Sequence, residues 1–362
     1  MIPVLKPDFD QKTKEELLKV LDSGWVGNGP KVKEFEESFA KKVGAKYAVA
    51  TNSATSALDL CLKVYDIDGG ILVTSPMTFV SDAIVGEWNN MRVVFADINP
   101  RTLCIDPDAI PYTKEVRAII AVDSHGRLAD IKTIRRKCAE AGINPLIIED
   151  AAHAMYVEGV GTGDINVYSF QAVKTLPIFD GGMITTNDEA IYKKLKSLTW
   201  LGVEKSTYDR VGSKGYSWDY DITKGNGIKG YMTDVQAVIG IGQLARIDEM
   251  TARRRWIQEA YNTAFEGKPW FKAPEYSHTV QYYTAELENR DGLCEFLANK
   301  GITTSVHFKP LSEMTYWKKA VVGDLKNTNT VWKKLLSLPC YNSLTNDEVA
   351  YIINSVNEFY GA

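Results

Sequence analysis

From Tyr47 onward the chain alternates short apolar runs rich in β-branched residues with longer segments whose apolar positions recur at helical spacing. The run YAVA at 47–50 leads through Thr51-Asn52-Ser53 into a segment that sets Ala57, Leu58, Cys61, Leu62 and Tyr65 on one helical face. That is a strand, a turn and a helix. The alternation continues through ILVTS (71–75), VVFADI (93–98), AIIAVD (118–123) and PLIIED (145–150), each followed by a turn or a helical stretch. Runs apolar on both faces, spaced this way, predict an α/β architecture with a wide, mostly parallel sheet and crossover helices. After about residue 243 the texture changes. A charged helical stretch, RIDEMTARRRWIQEAYNTAF, leads into strand-like VQYYTAEL, a helix DGLCEFLANKG and a closing helix NDEVAYIINSVNEFY. The expected division is a large domain at 1–245 with an N-terminal arm, and a smaller α+β domain at 246–362. Residues 208–229, rich in Gly, Ser, Tyr and Asp, read either as a long functional loop or as a surface excursion.

Composition narrows the function. At 362 residues the chain is long enough for two domains, and 45% hydrophobic with 24% charged residues is a globular balance. Lys plus Arg number 42 against 46 Asp plus Glu, a formal charge of -4, with no basic cluster of the kind a nucleic-acid surface requires. No apolar run approaches the roughly 18 residues of a membrane span, and the early charges and Pro of MIPVLKPDFDQKTKEELL leave no cleavable apolar region. A cytoplasmic protein is expected. The five cysteines are scattered without a C-x-x-C pair, and the four histidines form no H-E-x-x-H, so neither a disulfide framework nor a metal centre is expected.

Three places carry candidate chemistry. At Ser53, Ala54 and Thr55 a helix would start directly after a strand, and free helix N–H groups beside hydroxyls suit a phosphate, although Ser is a preferred N-cap and taken alone reads first as one. At 147–153, IIEDAAH, an apolar strand ends in carboxylates and a histidine, at the kind of strand end where open α/β sheets bind ligands. Asp150 there suits a protonated heteroaromatic nitrogen, or caps the following turn. At 167–174, VYSFQAVK, Lys174 follows a strand and precedes Pro177, a Gly-Gly turn and another strand. A lysine so placed can form a Schiff base, although most lysines simply lie on solvated faces. A phosphate cradle, a partner for a ring nitrogen and an amine, in this order, are the parts a pyridoxal phosphate site needs. The 24 residues from Asp150 to Lys174 leave room for a strand pair.

The residues also carry a resemblance. EDAAHA followed by GD-x-x-x-x-SF-x-x-x-K, together with SPMTFVSDAI, FDGGMITTND and GITTSVHFKPL in order, resembles the DegT/DnrJ/StrS-type sugar aminotransferases, pyridoxal-phosphate enzymes of fold type I. The resemblance covers nearly the whole chain. It implies that Lys174 forms the internal aldimine and acts as general base and acid, and that Asp150 pairs with the pyridinium nitrogen. It further implies that His153 sits near the ring 3-hydroxyl, that Ser53, Ala54, Thr55 and Ser169 bind the phosphate, and that Phe79 covers the ring face. His307 and Trp25 would belong to the sugar-nucleotide site.

The implied activity is transfer of an amino group, usually from L-glutamate, to a nucleotide-linked keto-deoxysugar, with pyridoxamine 5'-phosphate as the intermediate form of the cofactor. Such enzymes serve lipopolysaccharide and O-antigen or glycosylated-metabolite pathways as homodimers with shared active sites. Three positions depart from the family pattern. Phe179-Asp180 stands where Gly-Glu is usual. Lys229 stands where an Asn of the neighbouring subunit reaches the phosphate, with Asn226 as the alternative. Asp123 replaces a His in V-D-S-H-G, which would alter the sugar pocket. A family dehydratase carries His at the position of Lys174, and a binding-only regulator is the non-enzymatic alternative.

Overall fold

The computed structural model describes residues 1–204, 208, 210, 220–222, 224–273 and 281–361. Its large sheet has seven strands: β1 (Tyr47–Thr51), β2 (Ile71–Thr74), β3 (Arg92–Phe95), β4 (Val116–Val122), β5 (Leu146–Asp150), β6 (Ile165–Ser169) and β7 (Gly182–Thr186), in the order β1-β7-β6-β5-β4-β2-β3. Neighbours from β3 to β6 are parallel, and β7 runs antiparallel to both β6 and β1. The five strands expected up to Asp150 are all present. Between Asp150 and Lys174 there is one strand, β6, rather than a pair. Residues 151–164 are turns instead, held because the Glu149 carboxylate accepts the N–H groups of Gly161 (3.0 Å), Thr162 and Gly163 (2.8 Å).

Both sheet faces are covered, which is why the strands read as continuous apolar runs. Ala118, Ile120, Val122 and Ile148 point to one face, where they meet Leu58, Cys61 and Leu62 of α3 (Ala54–Val64). Ile119, Ala121 and Ile147 point to the other, against Ile134 of α5 (Ile131–Glu140). On that side Tyr168, Phe170 and Met183 pack with Phe35 and Phe39 of α2 (Pro30–Val43). Remaining elements of this unit are α1 (Gln11–Asp22), α4 (Ser81–Trp88), α6 (Glu189–Leu198) and α7 (Asp234–Ala245). The last opens on a capping box in which Thr233 and Gln236 satisfy each other's backbone N–H groups.

A second, antiparallel sheet holds β8 (Phe271–Lys272), β9 (Tyr283–Leu287) and β10 (Leu335–Leu338) in the order β10-β9-β8. Its core joins Tyr283, Leu338, Leu297 of α9 (Arg290–Asn299), and Ile352 and Val356 of α11 (Asn346–Phe359). The helix α8 (Ile247–Phe265) serves both units: Ile247 and Met250 lie in the large core, Ile257, Tyr261 and Phe265 in the small one. Two cross-braces were not visible in the sequence. Ile2 donates its N–H to Gly301 O (2.7 Å) and accepts from Thr303 N (2.9 Å), so the N-terminal segment joins the C-terminal core. Residues 311–331 return to the large sheet, where Trp317 meets Phe95 with ring centroids 6.0 Å apart. There the Asp97 carboxylate accepts from Asn327 N (2.8 Å), Thr328 N (2.9 Å) and Thr328 Oγ1 (2.7 Å), in the first turn of α10 (Lys326–Val331).

Much of the 208–229 stretch lies outside the described residues; within it, Lys224 pairs with Asp66 (2.9 Å) and Lys229 bridges to Trp200. Among the described residues, no helix is long and apolar enough to cross a membrane.

Candidate active site

The parallel strands place Thr74, Val122, Asp150 and Ser169 at one edge of the sheet, and the reversed β7 starts there at Gly182. Gly182 pairs with Thr51 on one side and Ser169 on the other. The start of α3 therefore comes to lie beside the end of β6. Here a cavity of about 440 Å³ is lined by Ser53, Ala54, Thr55, Thr78, Phe79, Asp150, His153, Ser169, Lys174, Asp180, Tyr282, His307 and Phe308, among others.

Each side chain has a local reason for its place. Ser53 is the N-cap of α3: its Oγ accepts from Ser56 N (3.1 Å), so the cap role is real and the residue also lines the cavity. Gly182 lets β7 approach that helix start, since a Cβ there would stand 2.7 Å from Ala54 N and from Ser53 C and O. Asp150 ends β5 with Oδ1 accepting from Ala152 N (2.8 Å), so it too caps its turn while facing the cavity. Lys174 is half-buried, with Nζ 6.0 Å from the centre of the Tyr282 ring. Phe79 is 60% exposed at the site, an unusual position for an aromatic ring.

Three imidazoles gather nearby. His307 stacks on Tyr282 at 3.8 Å, bonds Ser337 Oγ through Nδ1 (2.8 Å), and its carbonyl meets His125 Nε2 (2.8 Å). His153 stacks on Phe308 at 5.7 Å and is buried; its Nδ1 has no hydrogen-bond partner among the described residues. Burial, then the nearby Lys174 charge, holds His153 well below the usual histidine range and brings His307 down to about 3. Both rings are neutral at physiological pH.

The predicted set thus divides. Ser53, Ala54, Thr55, Phe79, Asp150, His153, Ser169, Lys174 and His307 share one cavity. Trp25 does not join them. Its indole N–H is tied to Asn28 O (3.2 Å), and it lines a separate cavity of about 300 Å³ with Lys196, Trp200 and Tyr231. Lys229 does not line the cavity either: its carbonyl accepts from Asn52 Nδ2 (3.4 Å) and its Nζ lies 5.6 Å from the centre of the Trp200 ring; Asn226 lies exposed in a turn. Asp123 does not line the cavity. It is fully buried, accepts from Ala129 N (2.8 Å), and is pushed well above the usual carboxylate range by desolvation and then by Glu149. Asp180 lines the cavity, whereas the adjacent Phe179 turns outward toward Phe9, with ring centroids 6.2 Å apart.

Tyr282, Phe308 and Asp82 were not read from the sequence. The first two arrive from the second unit. Asp82, in the first turn of α4 and wholly buried, lies against Asp150. A first-turn acid ordinarily signals only a favourable helix dipole.

Sheet order, reversed β7 and a site at the strand ends place the chain among the fold-type-I aminotransferases. Residues 7–357 match the model of the DegT/DnrJ/EryC1/StrS aminotransferase family, and the chain belongs to that family. It is 36% identical to the spore coat polysaccharide biosynthesis protein SpsC of Bacillus subtilis (strain 168), over 99% of this chain and 96% of that protein. Among solved structures it resembles the aminotransferase TlmJ from Streptoalloteichus hindustanus (27% identity, TM-score 0.90, covering 100% and 99% of the two chains). It also resembles the putative sugar aminotransferase Spr1654 from Streptococcus pneumoniae in its PMP form (27%, TM-score 0.89, covering 99% and 98%).

Proposed function

We propose that this aminotransferase binds pyridoxal 5'-phosphate and moves an amino group from L-glutamate to a nucleotide-linked keto-deoxysugar, in amino-sugar biosynthesis for surface glycans or a glycosylated metabolite. The carrying observation is the convergence of Asp150, Lys174, His153 and the start of α3 on one cavity. The residues present fit the cofactor. A buried His153 Nδ1 lacks a partner that a ring hydroxyl would supply, and the close β7–α3 approach builds a helix start open to a phosphate. When bound, the cofactor supplies an electron sink for chemistry at the α-carbon of the donor.

The protein's own residues do the rest. Asp150 keeps a ring nitrogen protonated, because an adjacent negative charge favours the cation. Lys174 would hold the cofactor through its side-chain amine, and that Nζ would take a proton from the donor α-carbon and later return it. Ser53, Ala54, Thr55 and Ser169 would hold the phosphate, and Phe79 would pack on the ring. His307 contacts the sugar nucleotide. The working unit in this reading is a cytoplasmic homodimer in which Lys229, or Asn226, of one subunit reaches the phosphate held by the other. The exposed Phe79 and Phe179 rings support a partner at this side of the molecule.

The test is spectroscopic. Purified protein with pyridoxal phosphate should show a visible band that L-glutamate removes and a nucleotide-linked keto sugar restores. A band indifferent to every amino donor overturns the transferase reading in favour of a binding-only protein.

A further inference from the structure

We propose that Asp82 is a positioning residue, a carboxylic acid kept protonated behind Asp150 that donates a hydrogen bond to the Asp150 carboxylate and so holds it ionised and aimed into the cavity. The inference rests on the cofactor reading above for its purpose, and on geometry for its substance. Asp82 is wholly buried. Its Oδ2 accepts from the Thr78 hydroxyl, its Oδ1 has no hydrogen-bond donor among the described residues, and its carboxyl lies in side-chain contact with that of Asp150. Two buried carboxylates in contact cannot both be ionised without strong repulsion, so the pair carries a proton.

The surroundings decide which oxygen holds it. Asp150 accepts the Ala152 N–H, a contact that favours its charged form. Among the described residues Asp82 has only the Thr78 hydroxyl as a hydrogen-bond donor, and the proton belongs on its orphan Oδ1. The charged groups facing the pair are Lys174, which acts on both, and Glu149, which acts on Asp150. Burial, and then the Asp150 charge, pushes Asp82 well above the usual carboxylate range, whereas Asp150, also raised by its own desolvation, is drawn the other way by the Asp82 hydrogen bond and the Ala152 N–H. Neighbouring carboxyls driven apart by their environments take different roles, here a neutral donor and an ionised acceptor.

The test uses Asp82→Asn, which keeps a donor of the same shape, and Asp82→Leu, which removes it. Infrared spectra of the cofactor-free protein near neutral pH should show a protonated-carboxyl carbonyl stretch that both variants lose and that Asp123→Asn leaves in place. Pyridoxal phosphate affinity should stay within about threefold of wild type in Asp82→Asn and fall by about tenfold or more in Asp82→Leu, the size of one hydrogen bond to a charged group. Persistence of the infrared band in Asp82→Asn, or equal loss of affinity in the two variants, overturns the proposal. Wild-type protein that fails to bind the cofactor defeats the cofactor reading alone, and the infrared result then still decides whether the Asp82–Asp150 pair carries a proton, while the affinity split between Asp82→Asn and Asp82→Leu tests Asp82 as the donor.

Discussion

Gly182→Ala tests how the sheet builds the phosphate turn. The added Cβ would stand 2.7 Å from Ala54 N and from Ser53 C and O. Ordinary carbon contacts lie at about 3.5–4.0 Å, so β7 and the start of α3 must part by about 1 Å. The atoms in the way are backbone, and none can swing aside. Gly182 has no left-handed φ, so alanine adds no conformational strain of its own and the effect is purely steric. Overpacking of this kind costs about 1–3 kcal/mol. The displacement falls on the Ser53 cap and on the helix N–H groups beside it. Expected results are a Tm lower by several degrees in the cofactor-free protein and pyridoxal phosphate affinity weaker by about tenfold, as follows from about 1.4 kcal/mol at the phosphate. Gly181→Ala is the control: its nearest atom is the mobile Met232 Cε at 2.9 Å, and the change should cost less than about 1 kcal/mol. Thermal unfolding with and without cofactor measures both. Equal behaviour of the two variants, or wild-type behaviour of Gly182→Ala, refutes the argument.

Asp97→Ala strips the acceptor from Asn327 N, Thr328 N and Thr328 Oγ1 and should destabilise the protein by about 2–4 kcal/mol in urea unfolding, with the cofactor absorbance of the folded fraction unchanged; a loss below about 0.5 kcal/mol contradicts the brace. The stability advantage of wild type over His153→Gln should depend on pH in a defined direction. Burial keeps the folded-state His153 neutral, whereas the unfolded chain takes up its proton below about pH 6.5. The imidazole's contribution is therefore fully present above that pH and is lost as pH falls through it, so the gap between the two proteins narrows on acidification. A gap constant across pH 5–8 refutes the neutral assignment.

The large sheet was legible because β2, β5, β6 and β7 are buried on both faces, and continuous apolar runs are what such strands require. Asp150 and the Ser53 turn stood out because they sit at strand ends, and Lys174 because a strand precedes it by five residues. What the sequence concealed depends on distant partners. Asp82 reads as a helix-dipole acid until Asp150 is placed beside it. Tyr282 and Phe308 acquire meaning only when the second unit closes over the strand ends. Ile2 gives no local sign that it will bond Gly301, and no pattern in 311–331 announces a return to the first sheet. Trp25 is a different case: the resemblance implies a place at the substrate site, and within this chain its indole, bonded to Asn28 O, lines another cavity.

The central claim is that Lys174 is the anchor of a pyridoxal phosphate site. Borohydride reduction of the cofactor-loaded protein, followed by peptide mass analysis, tests it most directly. A reduced pyridoxyl phosphate adduct is expected on Lys174, with no adduct in Lys174→Ala. An adduct on another lysine, or none in wild-type protein with cofactor bound, contradicts it.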